Sequence, residues 1–162
     1  MNESISIITI HEEIKIIGLS HLKLGLPSTV ESLEHMWRSF GEKHRGKIKN
    51  IVESSTDYGV NFSLDTDTHE YIAGCAVKEI GALDSEWGSF IIPAGRYVKY
   101  SRSKIAELFE DDDELKAWLD ANNIIRRGGD LMVEVYPAGA FDDADGKDTE
   151  AYLLLHIQEG QA

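Results

Sequence analysis

Apolar and polar residues alternate along much of the chain in a way that predicts a strand-rich protein. The strand pattern, rich in β-branched and aromatic residues, recurs at residues 5–17, 58–65, 70–80, 87–101, 130–137 and 151–158. Only a short polar turn separates the second segment from the third, so these two are predicted to form a hairpin. The last two are expected to pair across a longer loop. Pro93 and Gly95 are expected to kink or bulge the fourth segment.

Two further segments have the spacing of a helix. Ser28 and Glu31 match the S-x-x-E capping box, which predicts a helix start after the breaker sequence GLPS. The apolar stripe of this helix consists of Val30, Leu33, Trp37 and Phe40. Residues 103–122 are predicted to form the second helix, with Ser103 as its cap; the acidic run at 110–114 also allows two shorter helices. The second stripe consists of Ile105, Leu108, Phe109, Leu115 and Leu119.

The order of these elements is strand, helix, strand, strand, and then the same again. Residues of about 5–80 form one copy and residues of about 87–159 the other, within a single domain that spans 1–162. This order predicts an α+β fold of two strand–helix–strand–strand units, with the helices on one side of antiparallel sheet. A pseudo-twofold pair of such units leaves a central groove, which is a common position for a ligand.

The strand at 130–137, DLMVEVYP, contains the residue that most needs an explanation. Because strand side chains alternate between faces, Glu134 points the same way as Met132 and Tyr136, and opposite to Val133 and Val135. If that face is in water, the glutamate is an ordinary surface residue. If the face looks into the protein, an unpaired carboxylate there would be costly and would need a partner.

Charge restricts the partners of the chain. Its 162 residues include 16 lysines and arginines against 29 aspartates and glutamates, for a formal charge of -13. The basic residues form only one short cluster, at 43–49. This argues against direct binding to nucleic acid or to an anionic membrane. The acidity suits the attraction of cationic small molecules, and a solvated surface of no special purpose accounts for it equally well.

The rare reactive residues predict neither a metal centre nor a nucleophile. Cys75 is the only cysteine and lies in an apolar strand segment, which predicts an inert thiol and a cytoplasmic protein. The six histidines include no helical i, i+4 pair, and no metal, cofactor or catalytic residue is predicted from any motif. We expect no secretion signal and no membrane span.

The ordered set of segments resembles the GyrI-like, AraC-type effector-binding domain family. The matching pieces are IKIIGL, LEHMWRSF, NIVESSTDYGV, EYIAGCAV, FIIPAGRYVKYS, LKAWLD and LMVEVYP, which together cover nearly the whole chain. The closest resemblance is to stand-alone members that are associated with integron gene cassettes. The resemblance implies the paired strand–helix–strand–strand fold. It leaves no room for a helix-turn-helix region, and the acidic insert at 110–114 departs from the family pattern.

The resemblance also implies a binding site. Family ligands are bulky, apolar and often cationic, and an acidic residue of the penultimate strand contacts them; Glu134 falls on that position. The aromatic residues that match the family's pocket are Trp37, Phe40, Tyr71 and Tyr136, with Trp118 as a further candidate. Taken singly, each of these aromatics is explained by a place in the core. If they instead surround Glu134 in one cavity, their rings would add cation–π and apolar contacts to a bound cation.

Three functions are compatible with this picture. The first is a small-molecule binding module that senses or sequesters cationic amphiphilic compounds. The second is a hydrolase of strained electrophilic rings, with Glu134 as general acid or base. The third is a protein-interaction role, as in gyrase-inhibiting relatives, with an unidentified protein partner. Because no catalytic dyad is evident from spacing, binding ranks first.

We expect the chain not to bind duplex DNA tightly by itself, because its charge of -13 opposes contact with phosphates. Fluorescence anisotropy with a labelled duplex at physiological salt measures this directly. A dissociation constant below the micromolar range would contradict the expectation.

Overall fold

A computed structural model describes residues 5–27, 29–52, 56–101, 113–127, 131–137 and 151–158. The fold is α+β, built on one eight-stranded antiparallel sheet. The strands are β1 (Ile5–Ile10), β2 (Ile14–Ser20), β3 (Asp57–Ser63), β4 (His69–Val77), β5 (Trp87–Ile92), β6 (Gly95–Ser101), β7 (Met132–Tyr136) and β8 (Tyr152–His156). The helices are α1 (His21–Leu24), α2 (Val30–Ser39) and α3 (Asp113–Ala121). In the part of the chain that is described, no helix is long and apolar enough to cross a membrane.

The strand order of the sheet is β1-β6-β8-β7-β3-β4-β2-β5. If β1, β2, β3 and β4 are taken as the equivalents of β5, β6, β7 and β8, the strand order has the same pattern whichever edge it is read from. The centre of the order lies between β7 and β3. Each half also contributes its first strand to the other half, since β1 pairs with β6 and β5 pairs with β2. The predicted hairpin of β3 and β4 is confirmed, as is the pairing of β7 with β8.

Two predicted strands are each divided in the structure. Residues 5–17 form β1 and part of β2, which lie near opposite edges of the sheet. The exposed polar residues at 11–13 separate them. Likewise, Pro93 and Gly95 end one strand and begin another instead of kinking a single strand. Pro93 has no N–H to donate to the ladder, and Gly95 has a φ of 143°. Each half is therefore strand, strand, helix, strand, strand.

The first predicted helix is confirmed as α2, and the second is described only in part. Ser28 lies outside the described residues, and the cap of α2 is Thr29, whose side chain accepts a hydrogen bond from the backbone N–H of Ser32 at 3.1 Å. After Ser39 the chain continues as a π-helical turn at 40–44 and a 3-10 turn at 45–47. Of the predicted helix at 103–122, α3 is the described part. The predicted cap Ser103 and the first half of that stripe lie outside the described residues.

Both faces of the sheet carry buried apolar residues. One face packs against α2 and α3 through two apolar clusters. In the first cluster, Leu153 and Leu155 of the sheet pack with Leu115 of α3. In the second, Leu19 of the sheet packs with Met36 of α2. The prediction that helices cover one side of the sheet is therefore confirmed for α2 and α3. The opposite face holds a third cluster, to which all eight strands contribute. Alternate residues of each strand thus enter different clusters, as the period of two requires.

Three glycines lie in a row across β4, β2 and β5. Gly18 is opposite Gly74 on one side and Gly88 on the other. A Cβ at Gly18 would collide with the backbone of Ala73 and Gly74, and a Cβ at Gly74 would collide with the backbone of Ile17. The backbones of β2 and β4 therefore approach more closely here than side chains would permit.

We expect Gly18→Ala to destabilise the protein by roughly 2 kcal/mol or more, because backbone atoms have to move to admit the methyl group. Chemical denaturation followed by circular dichroism measures the change in the free energy of unfolding. Gly81→Ala is the matched control, since a Cβ at Gly81 meets no atom within 4 Å. Equal stability of the two variants would refute the close approach of β2 and β4.

Candidate functional site

The sheet register places Glu134 in the middle of a row that crosses all eight strands on the helix-covered face. The row consists of Ile5, Tyr100, Leu153, Glu134, Gly59, Ala73, Leu19 and Trp87. Glu134 is the only charged residue in it. Its carboxylate therefore lies where the two halves of the strand order meet, under the helices. The face of DLMVEVYP that carries Glu134 looks into the protein, and the glutamate is 4% exposed.

Three neutral side chains hold the carboxylate. The hydroxyl groups of Tyr71 and Tyr136 both donate to Oε1 of Glu134, each at 2.6 Å. The amide Nδ2 of Asn61 donates to Oε2 at 3.0 Å. These residues come from three adjacent strands, β3, β4 and β7, so the network ties the central strands together through their side chains.

Gly59 provides the space for this network. It lies directly opposite Glu134 on β7 and opposite Ala73 on β4. A Cβ at this position would collide with the hydroxyl oxygen of Tyr71 and with Oε1 of Glu134. The hydrogen bond between these two groups therefore passes over a residue that has no side chain.

Trp37 of α2 covers the network from the helix side. Its indole Nε1–H donates to the hydroxyl oxygen of Tyr71 at 2.9 Å. The indole ring also meets Tyr136 edge to face, with 5.3 Å between ring centroids, and meets Phe40 edge to face at 6.0 Å. Trp37 is half-buried, whereas Tyr71, Tyr136 and Phe40 are 2% exposed or less. It is thus the aromatic residue of this group that reaches the surface.

Burial controls the ionisation of these groups. Removal from water raises the pKa of Glu134, and the hydrogen bonds from Tyr136, Tyr71 and Asn61 oppose that rise. Burial also raises the pKa of Tyr71 and Tyr136 well above the ordinary value, and the nearby charge of Glu134 raises both further. The phenols therefore remain protonated donors, while the carboxylate is the group whose charge can change.

Glu70, the residue before Tyr71, is a second buried glutamate with a different environment. It accepts hydrogen bonds from the Ser20 hydroxyl and from the backbone N–H groups of Leu22 and Tyr71. Two of these donors are fixed backbone groups, and Ser20 is the N-cap of α1. Glu70 therefore fastens α1 to β4, which is a structural role.

The structure brings the predicted residues together to different degrees. Tyr71 and Tyr136 bond to Glu134 directly, and Trp37 reaches it through Tyr71. Phe40 contacts the far side of Trp37. Trp118 of α3 is half-buried and packs against the same apolar cluster as Trp37 and Tyr136.

Sequence reasoning missed Asn61 and Gly59. The available signal was a glycine and an amide two residues apart, and therefore on one face of β3. That spacing becomes meaningful only when the register opposite Glu134 is known.

A surface cleft of about 440 Å³ also opens at the ends of β2, β3 and β4. Its lining includes Glu12, Lys15, Tyr58 and Lys78, and it shares no residue with the Glu134 network. The carboxylate of Glu134 is buried away from this cleft, so the cleft is not the predicted central groove.

Comparison with solved structures identifies the fold. The C-terminal domain of EcmrR matches with a TM-score of 0.71 and 12% identity, over 95% of this chain and 96% of that one. The integron cassette protein VCH_CASS2 of Vibrio cholerae matches with a TM-score of 0.57 and 16% identity, over 96% and 97% of the two chains. SAV2435, solved with tetraphenylphosphonium bound, matches with a TM-score of 0.63 and 9% identity, over 96% and 94%.

No curated protein sequence matches the chain significantly. The sequence profile of one family does, that of Cass2, described as integron-associated effector binding protein, and it matches residues 5–156. This match spans both halves of the sheet and every residue of the Glu134 network. The chain belongs to the Cass2 family of integron-associated effector-binding proteins.

Proposed function

We propose that the protein is a receptor for bulky organic cations, which it senses or sequesters at Glu134. The observation that carries the proposal is a buried carboxylate whose hydrogen-bond donors are all neutral. Within the described ranges, no lysine, arginine or histidine lies within ion-pair distance of Glu134. An effector-binding family and a structural neighbour with a bound phosphonium cation support the same reading.

Electrostatics favours a cation at this position. A carboxylate removed from water loses hydration that two phenols and one amide replace only in part, which is why its pKa is raised. A cation that arrives beside Glu134 would restore the missing stabilisation of the charged form. The surrounding aromatic faces would add cation–π attraction of about 0.5–2 kcal/mol for each well-placed ring. A bulky, apolar ligand suits the same site, since displacement of the Trp37 indole would uncover the carbon surface of Tyr71 and Tyr136.

We place the route to the site between α2 and α3. Trp37 and Trp118 are half-buried and pack against one apolar cluster from two different helices. A ligand that displaced Trp37 would reach the hydroxyl group of Tyr71 and then the carboxylate. The apolar surface uncovered by the indole would be covered again by the ligand.

The strand order also supports a pseudo-twofold relation between the two halves of the sheet. We propose that β1 to β4 with α2 superimpose on β5 to β8 with α3 about a pseudo-twofold axis. The palindromic order puts that axis between β3 and β7, next to Gly59 and Glu134. A ligand groove on the helix side of this axis would lie at the junction of the two halves.

We expect Glu134→Gln to weaken binding of tetraphenylphosphonium by about 1–3 kcal/mol, which corresponds to roughly 5- to 150-fold, because it removes the charge and keeps the shape. Isothermal calorimetry on the full chain measures the dissociation constant. Binding of neutral triphenylphosphine oxide should be nearly unchanged. Glu31→Gln, on the exposed side of α2, is the matched control. The proposed charge recognition is wrong if Glu134→Gln weakens the neutral and the cationic compound equally.

One observation favours hydrolysis as a second candidate function. Tyr71 and Tyr136 donate to the same oxygen of Glu134, so a carboxylate of raised pKa lies beside two protonated phenols. A carboxyl group of raised pKa is a better proton acceptor than an ordinary glutamate, and a phenol can donate to a developing oxyanion. A strained electrophilic ring bound under Trp37 would meet all three groups.

We expect binding without turnover. Among the described residues, the only group placed to activate a water molecule is the Glu134 carboxylate, and it already accepts hydrogen bonds from both phenols. Incubation with an epoxide or cyclopropane electrophile, followed by product analysis, measures this. Multiple turnovers that disappear in both Glu134→Gln and Tyr71→Phe would make hydrolysis the primary function.

A further inference from the structure

A polar connection runs from Glu134 to the exposed end of β4. Asn61 donates from Nδ2 to Oε2 of Glu134 at 3.0 Å, and its Oδ1 lies 3.3 Å from Nε2 of His69. His69 is the first residue of β4 and is exposed. Because an amide oxygen can only accept, this arrangement requires a proton on Nε2 of His69. One amide therefore joins a solvent-accessible imidazole to the buried carboxylate.

The amide has two orientations, and each suits different protonation states. With Nδ2 toward Glu134, it stabilises the ionised carboxylate and accepts from an Nε2–H of His69. With Oδ1 toward Glu134, it would accept from a protonated carboxyl group and would require an unprotonated Nε2. The imidazolium carries hydrogen on both nitrogens, so it is compatible only with the first orientation. Protonation of His69 thus favours ionised Glu134.

We infer that His69 and Asn61 are positioning residues that regulate the site: the charge of the exposed imidazole keeps Glu134 ionised through the orientation of one amide. The inference rests on the proposed function for its consequence, since a cation binds the ionised carboxylate. Its effect opposes simple acid titration. Acid tends to remove the charge of Glu134, and the imidazolium form of His69 opposes this by holding the amide in the orientation that favours the carboxylate. Cation binding therefore persists to lower pH than it would without His69.

The substitutions in the test leave the other titratable groups near the connection in place. On the buried side, Glu134 faces the phenols of Tyr71 and Tyr136. Around His69, the turn between β3 and β4 carries Asp65 and Asp67, where Asp65 accepts from the backbone N–H groups of Asp67 and Thr68, which lowers its pKa. Among the described residues, the adjoining elements also carry the titratable groups of Glu70 on β4 and of His21 and Lys23 on α1, which packs against β4.

The test is a titration of the Glu134 carboxyl carbon by NMR in the full chain with ¹³C-labelled glutamate, assigned by the signal that Glu134→Gln removes. We expect His69→Ala to move the midpoint to higher pH by roughly half a unit or more. Since the cation needs the ionised form, binding of tetraphenylphosphonium should be lost at a correspondingly higher pH as the solution is acidified. His69→Gln retains an N–H donor without the charge, so its shift should be smaller. His11→Gln, an exposed histidine before β2, is the control and should leave the midpoint in place.

Repeating the His69 substitution in an Asn61→Ala protein shows whether His69 affects Glu134 through the Asn61 amide or by direct electrostatic interaction. Asn61→Ala should itself raise the midpoint, because Oε2 loses its donor. His69→Ala should then add nothing, as a double-mutant cycle of coupled residues requires. An unchanged midpoint in His69→Ala, or an equal shift with and without Asn61, overturns the inference. If the unaltered protein fails to bind tetraphenylphosphonium at every pH, the proposed function fails, while the carboxyl titration still decides the coupling.

Discussion

The burial of one carboxylate at the two central strands of the sheet determines which residues can surround it. Glu134 lies under α2 with almost no exposure, so each of its oxygens needs a donor. Two tyrosines and an asparagine meet that need from three strands, and this requires a glycine opposite the glutamate so that the phenol and carboxylate can meet. Trp37 completes the arrangement by donating to one of the tyrosines. A substitution at any of these positions would disturb the others, because they share one hydrogen-bond network.

Much of the fold followed from periodicity, and the errors have a common physical origin. Alternation identified every sheet segment, and it assigned Glu134 to the face of Met132 and Tyr136 correctly. It did not show that residues 5–17 leave one edge of the sheet and return near the other, because a change of neighbouring strand needs no change of local pattern. The cap of α2 is Thr29, and the predicted cap Ser28 lies outside the described residues; both carry a hydroxyl group that suits a cap, so residue type alone does not select one of them.

The candidate site was predictable where residue type alone indicated it. A glutamate in an apolar strand and aromatics on a helix stripe are visible in the sequence, and a family resemblance connected them. The sequence does not reveal the importance of Asn61, His69 and Gly59, because it depends on which residues face them across β3, β4 and β7. Glu70 shows that a buried glutamate is not by itself a sign of a functional site. It is as buried as a functional carboxylate would be, yet fixed backbone donors account for it.

The exchange of first strands between the halves has a consequence for how the chain reaches its native state. Ile5 lies opposite Tyr100, so the N-terminal strand cannot find its partner until most of the polypeptide has been synthesised. Pairing over such a separation carries a large loop-closure entropy and is slow compared with hairpin formation. During translation the apolar segment ISIITI would therefore remain without its native neighbour while β2 and the hairpin of β3 and β4 can already assemble. The exchange leaves β1 without its neighbour until β6 has been made, and for that period the nascent chain is exposed to chaperones and to aggregation.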